Sequence, residues 1–403
     1  MSQQPVFKRK YQQTLLAFAD TQQVPFYVYD IDGLAKHIES LVNDDIKLWF
    51  AVKANPLSSI IKTLDKQGMN FDVASTGELE QVLAQGIDSA RILNTGPAKS
   101  KAQVTHFLTQ GVNTFVVESI NQLTLINEQA KAFDVRPSIL LRVQLRFEQS
   151  DSNPLGGNEL TPFGLGADEW RGVDLSAFDN VDVMGLHIFQ WGNMLDSATL
   201  ISLWQAMIEP LTSLANDLNF ELKVLDLGGG LGIAYDNDDR QLSWPVLKQA
   251  LKDIKASANV DELWLELGRY AVGEYGYYVA EVVDVKENYQ QQIAVLQGGI
   301  NHLLRPAITE QPFPVQLLGE SAASNINFHV HGPLCTSLDK LGYLSLPSDL
   351  TTGNQLIFSQ CGAYGFTESM PFFLCHELPA EVIIEQGELT VVRPALPASS
   401  YLY

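Results

Sequence analysis

Lys53 closes the run KLWFAVK (47–53), directly after the apolar WFAV. At the end of a buried strand, desolvation disfavours the ammonium and frees the amine to form an imine with an aldehyde. The plainer alternative is a strand-end lysine that reaches solvent. In DLGGGLG (226–232), Gly228, Gly229, Gly230 and Gly232 follow another apolar run. Their backbone N–H groups could approach an anion, most naturally a phosphate, although such a cluster is as often only a tight turn. A dinucleotide fingerprint fails here, because G-x-G-x-x-G would require glycine at Ile233, and no P-loop Lys-Ser/Thr is present. Arg269 offers the same phosphate a fixed positive charge. Glu266, three residues earlier, could keep a pyridine nitrogen protonated and make that ring a better electron sink, or it could simply pair with Arg269. His187 could lie against a planar ring or be a hydrogen-bonded core histidine. His329 and His331 share one strand face without a carboxylate or cysteine at ligand spacing, so no metal is expected.

These residues need elements to position them, and the pattern supplies eight short apolar runs between residues 47 and 268. They are 47–53, 69–75, 91–94, 112–118, 138–143, 181–188, 222–228 and 262–268, separated by stretches such as LSSIIKTLDKQ (57–67) with helical period. Eight strand–helix units predict a closed (β/α)8 barrel over 26–270, with an open doubly wound sheet as the alternative. In such a barrel function gathers at the carboxyl ends of the strands. That is where Lys53, Asp72, Ser75, Arg142, His187, the glycines, Glu266 and Arg269 fall. Beyond residue 270 the texture is strand-like, ending in AEVIIEQGELTVVR, a hairpin that turns at Gly387.

The length of 403 residues favours two domains. A composition 46% hydrophobic and 18% charged suits a sizeable core. A net charge of −21 argues against nucleic-acid or anionic-membrane partners, which are held by clustered Lys and Arg. No apolar run is long enough to span a bilayer, and a cytoplasmic enzyme is expected. Cys335, Cys361 and Cys375 are too sparse for a disulfide framework and lack zinc spacing.

The ordered set FAVKANP (50–56), FDVASTGEL (71–79), GLHI (185–188), DLGGGLG (226–232), ELGR (266–269), GGINHLLRP (298–306), HGPLCTSLD (331–339) and GAYGFTES (362–369) resembles the fold-type III pyridoxal-phosphate decarboxylases, the group of diaminopimelate and ornithine decarboxylases. The resemblance implies a pyridoxal 5'-phosphate-binding barrel (26–270) and a mainly β domain (1–25 and 271–403), in a homodimer with shared active sites. It further implies that Lys53 carries the cofactor, His187 stacks on the ring and Glu266 meets the pyridine nitrogen. Gly228, Gly229, Gly230, Arg269 and Tyr364 hold the phosphate, and Cys335 returns a proton to the α-carbon across the dimer. Without the resemblance, Cys335 reads as a buried small hydrophobe. Asp72, Ser75 and Arg142 complete the expected cofactor set.

Departures from the family pattern fall on the substrate side. Thr336 stands where these enzymes place a glutamate or aspartate for a distal ammonium, which disfavours a free diamine. Arg305 keeps the carboxylate-binding arginine, but the tyrosine expected four residues later is Thr309. The usual EPGR is ELGR, and a lysine common near residue 163 is Pro162. GPLCTSLD, HIFQ and GAYGFTES look most like decarboxylases of carboxylate-type siderophore assembly, which act on an amino acid joined to citrate. The small-molecule substrate is accordingly expected to be carboxylate-rich. A diaminopimelate decarboxylase, a racemase and a non-catalytic cofactor-binding protein are the competing readings.

Overall fold

The computed structural model describes residues 11–22, 25–146, 160–235 and 241–403. Of the amino-terminal segment 1–25, expected to join the β domain, 1–10 and 23–24 lie outside the described set. The described residues form two compact units. One is drawn from Met1–Lys36, Ala234–Asp239 and Val272–Tyr403, the other from His37–Ile233 and Arg240–Ala271.

The domain boundary differs from the expected one. β1 (Phe26–Asp30) is buried throughout and belongs to the β unit, where it runs antiparallel to Gly276–Asn288 and parallel to Ala380–Glu385. An apolar run without alternation signals a strand covered on both faces, a pattern common to barrel strands and central sheet strands. Local pattern therefore identifies the strand without identifying its partners.

The second unit is the barrel. Its strands are β2 (Lys47–Ala51), β3 (Asn70–Val73), β4 (Ile92–Asn94), β5 (Thr114–Val117), β6 (Ser138–Gln144), β8 (Asp182–His187), β9 (Val224–Asp226) and β10 (Glu262–Leu267), with a two-residue β7 (Leu165–Gly166) beside β6. All eight main strands pair in parallel, β10 with β2 and β5 with β6, so the ring closes and the open-sheet alternative is excluded. Each of the eight apolar runs coincides with one of these strands, β6 extending one residue beyond its run. Trp49, Leu93, Val116, Leu140, Val224 and Trp264 form one buried cluster, with the two indoles 4.9 Å apart. The barrel interior is therefore packed, as a closed parallel barrel of this size requires.

Short strand-to-helix turns set where each strand ends. Ser75, Ser100, Ser119 and Asp196 accept hydrogen bonds from Glu78, Gln103, Gln122 and Thr199 N–H, capping Thr76–Leu83, Lys101–Thr109, Ile120–Phe133 and Ser197–Asp217. Such a cap contributes about 1 kcal/mol, and it holds the preceding strand end in one place.

The β unit is built on β11 (Gly276–Asn288), β12 (Gln291–Leu296), β13 (Val315–Leu317), β14 (Asn325–His331), β15 (Lys340–Pro347) and β16 (Gln355–Phe358). The short β17 (Glu377–Leu378) precedes β18 (Ala380–Glu385) and β19 (Glu388–Arg393). The main path is β15-β14-β12-β11-β1-β18-β19, and β18 and β19 form the expected hairpin with Gln386 and Gly387 at positive φ. Its core joins Leu15 of the first helix to Phe26, Val28, Val279, Ile357 and Val382. Among the described residues, no helix is long and apolar enough to cross a membrane.

Candidate active site

The expected site residues divide between the units. Lys53, Asp72, Ser75, Arg142, His187, Gly228, Gly229, Gly230, Glu266 and Arg269 belong to the barrel, and Arg305, Thr309, Cys335, Thr336 and Tyr364 to the β unit. In the barrel, parallel register aligns Arg142 with His187 and His187 with Asp226, and it places Glu266 one strand further on. The closed ring brings together groups that lie far apart along the chain.

His187 Nε2 lies 3.0 Å from Glu266 Oε1, with the histidine fully buried. The alternative of a Glu266–Arg269 pair gives way to this contact; Arg269 is buried at the start of its own short helix. Burial pushes the Glu266 carboxyl up, but His187, Lys53 and Arg142 outweigh it and hold the group below its ordinary value. Asp226, wholly buried beside it, is driven well above the carboxylate range by burial and by Glu266. Burial and Glu266 also raise Asp72 to about 8, against Lys53 and a 2.6 Å bond from Thr95 Oγ1. Three carboxyl groups thus share one mouth, and Glu266 is the one kept ionised.

Lys53 sits in a single turn, Val52–Ala54, that continues β2. Its side chain is exposed in this chain, which corrects the expectation of a desolvated amine. Its charge is felt by three carboxyl groups: Lys53 pulls Asp72, Glu78 and Glu266 each downward. Ser75, expected at the cofactor, is committed to its helix cap, while Glu78 accepts from Ala74 N–H at 2.7 Å. This reciprocal arrangement around the helix start is a capping box.

Deeper in the mouth, Arg142 donates to Glu118 at 2.9 Å, with both side chains nearly inaccessible, and stacks 4.7 Å over Phe163. Lys99 donates to the Gly96 carbonyl at 2.6 Å, and burial pushes its ammonium down to about 8 despite Glu118 and Asp72 nearby. Gln190 clamps the neighbouring loop, donating to Leu145 O and accepting from Leu145 N–H. Sequence reading missed Lys99, Glu118 and Gln190, because each is a single polar residue after a different strand. Asp226 was missed as an individual although it opens the glycine motif.

The glycine turn has a packing reason besides any ligand. A Cβ at Gly229 would stand 1.9 Å from the Glu266 carbonyl oxygen, and one at Gly230 would stand 2.6 Å from that of Trp191. Gly228 N–H is taken by Asp226 Oδ1, whereas the N–H groups of Gly229 and Gly230 have no protein acceptor among the described residues. His187 Nδ1 and Asp226 Oδ2 are buried without a partner among the described residues. Backbone donors on one side and an ionised buried carboxylate beside a buried imidazole on the other suit a phosphate joined to a planar ring with a protonated nitrogen. His187, Asp226 and Glu266 also offer donor atoms within 4.8 Å of one another, a metal-like spacing that the sequence did not disclose. Two of the three, His187 and Glu266, are already engaged with each other.

In the β unit, Arg305 Nη1 donates to Glu368 Oε2 at 2.7 Å and its guanidinium carbon lies 5.2 Å from the centre of the Tyr364 ring. Thr309 donates its hydroxyl to the Arg305 carbonyl, closing its own helical turn. Cys335 is exposed, unlike a buried small hydrophobe, and Thr336 Oγ1 accepts from Leu338 N–H in the same loop. Buried Asp339 ties that loop down: it accepts from Leu334 and from Ile300 N–H, at 2.7 and 2.8 Å. His331 Nδ1 meets the Asp339 carbonyl at 3.1 Å and His329 stacks on Tyr343, both structural contacts.

Comparison with known proteins agrees with this chemistry. A sequence profile described as "Pyridoxal-dependent decarboxylase, pyridoxal binding domain" matches residues 30–273. A Staphylococcus aureus protein named 2-[(L-alanin-3-ylcarbamoyl)methyl]-2-hydroxybutanedioate decarboxylase is 27% identical, covering 91% of this chain and 96% of its own. Aquifex aeolicus diaminopimelate decarboxylase is also 27% identical, covering 94% and 91%. Among solved structures, AQ1208 from Aquifex aeolicus superposes with a TM-score of 0.84 at 26% identity, over 96% of this chain and 93% of that one. Helicobacter pylori diaminopimelate decarboxylase complexed with L-lysine shares the fold, with a TM-score of 0.86 at 23% identity over 96% and 98%. The profile spans more than half of the chain and covers every barrel strand, so this protein belongs to the pyridoxal-dependent decarboxylases, enzymes that work with pyridoxal 5'-phosphate.

Proposed function

We propose that the chain removes the α-carboxylate of an amino-acid moiety already joined to citrate or a similar carboxylate, as a step of siderophore assembly, and that it acts as a homodimer. The observation that carries this reading is the pairing of Thr336, where relatives in the resemblance carry an acid for a distal ammonium, with a retained Arg305. A free diamine would place a cation where no carboxylate follows Cys335, whereas a carboxylate-rich substrate has an arginine to meet. The name of the Staphylococcus aureus relative, an amide of a 2-hydroxybutanedioate, describes such a conjugate.

In this proposal Lys53 binds the cofactor through its amine, with Asp72 beside it. Glu266, ionised and anchored by His187, holds a proton on the ring nitrogen, and His187 lies against the ring. The N–H groups of Gly229 and Gly230, with Arg269, take the phosphate, and the Arg142–Glu118 pair keeps the floor of the mouth rigid. The cofactor, when bound, supplies an electron sink for the pair left behind when carbon dioxide departs. Cys335 Sγ, exposed on the loop that Asp339 secures, returns the proton to the α-carbon. The β unit also exposes Ile308, Leu338 and Tyr343, apolar area suited to a second copy.

Diaminopimelate decarboxylase is the second reading, since one from Aquifex aeolicus is equally similar in sequence. Steady-state assays with meso-diaminopimelate, ornithine, lysine and citryl-diaminopropionate or citryl-serine separate the two. The highest kcat/KM is expected with a citryl conjugate. Efficient turnover of a free diamine defeats the reading of Thr336, and no turnover on any member supports a non-catalytic cofactor-binding protein.

A further inference from the structure

The carboxylate-binding arginine of the β unit is already engaged by an acid of the same chain. Arg305 begins the short helix Arg305–Thr309, and Glu368 ends the single turn Phe366–Glu368. A backbone bond just beyond Glu368 ties its turn to the stretch that leads into Arg305. Met370 N–H donates to Ile300 O at 3.1 Å, and Ser369 donates its hydroxyl to Gly365 O at 3.0 Å, which holds Glu368 on a fixed turn. The Tyr364 ring limits the guanidinium from another side. Even so, the Arg305 and Glu368 side chains remain 23% and 32% accessible, so a ligand can reach both.

One guanidinium N–H is engaged with Glu368, and a guanidinium carries five donors in a fixed fork, so an edge remains for an incoming carboxylate. That carboxylate arrives within contact range of the Glu368 charge, and like charges so placed repel. The repulsion reverses when the ligand carries a hydrogen-bond donor next to its carboxylate, because Glu368 can accept from it while Arg305 holds the anion. Resting on the carboxylate-rich substrate reading above, we propose that Glu368 is a specificity-determining residue which, with Arg305, selects a ligand carboxylate flanked by a donor and rejects a bare one. A hydroxyl, as in a hydroxy acid, and an ammonium, as in an amino acid, both supply that donor.

Calorimetric binding to the pyridoxal-phosphate-loaded protein tests this with two matched pairs: citrate against tricarballylate, which lacks the hydroxyl, and glutamate against glutarate, which lacks the ammonium. Wild type is expected to prefer citrate by about tenfold or more, the worth of a hydrogen bond to a charged group. Glu368→Gln removes the repulsion, so tricarballylate should tighten and the ratio fall to within a few fold. If the Glu368-dependent preference appears only for glutamate over glutarate, the pair's role stands with ammonium as the donor, and the citrate-type substrate is what fails. Equal affinities within both pairs in the wild type overturn the inference without any variant, as do ratios that Glu368→Gln leaves unchanged. Absence of binding by all four acids overturns both this inference and the carboxylate-rich reading.

Discussion

Gly229→Ala is the sharpest test of how the barrel mouth is assembled, because φ at this position is not in the left-handed region and the effect is purely one of space. The new methyl would lie 1.9 Å from the Glu266 carbonyl oxygen, whereas ordinary contact begins at 3.4 Å, so the glycine turn and β10 must part by the difference. The 2.6 Å bond from Glu266 N–H to Gly228 O spans that gap and would be lost. Overpacking of this kind costs about 1–3 kcal/mol and the hydrogen bond about 1 more, so a loss of about 2–4 kcal/mol is expected in denaturant unfolding. Activity should suffer more than stability, because Glu266, His187 and the two backbone donors all move relative to one another. A displacement of about 1 Å costs about 100-fold in rate. Gly387→Ala is the control: φ is +85° there and nothing lies within 4 Å of the added atom. It should cost about 1–2 kcal/mol of stability and leave kcat/KM unchanged. Cofactor content after gel filtration, measured by absorbance, and carbon dioxide release are the two readouts. A Gly229→Ala protein that keeps its cofactor and turns over at close to the wild-type rate would refute the packing argument.

Three further outcomes are expected. Glu266→Gln removes the charge bonded to His187, a contact worth about 1.5–3 kcal/mol, and should lower kcat by at least about 10-fold while the fold survives; unchanged kcat would remove Glu266 from the chemistry. Asp72 is held at about 8 against an ordinary 3.8, so the folded state binds more protons than the unfolded one across that window and stability falls as pH rises through it. Relative to Asp72→Asn, wild type should therefore lose ground between pH 5 and 8, by no more than about 1.4 kcal/mol per pH unit, and a gap that stays flat or narrows in melts across that range would contradict the burial argument. Cys335→Ala should melt within about 0.5 kcal/mol of wild type, since the side chain is exposed, yet lose about 100-fold or more in kcat with cofactor retained; near-normal turnover would assign the proton transfer elsewhere.

Much of the barrel is written locally. Apolar runs of strand length, helical periods between them and serines at the helix starts each act over a few residues, and the eight runs became the eight paired strands. Lys53, the glycine turn and Glu266 were legible for the same reason: each stands next to an apolar run that says where a strand ends. The tertiary structure alone decided which residues meet. It moved β1 into the β unit, because the two faces of a buried strand look alike until its partners are known. It exposed Lys53, paired Glu266 with His187 rather than with Arg269, and gathered Asp226, Glu118 and Lys99 from strand ends far apart in the chain. It also set Glu368 against Arg305 across 63 residues. Periodicity is a property of neighbours along the chain, but charge pairing and burial depend on how the sheet closes, and no window of sequence contains that closure.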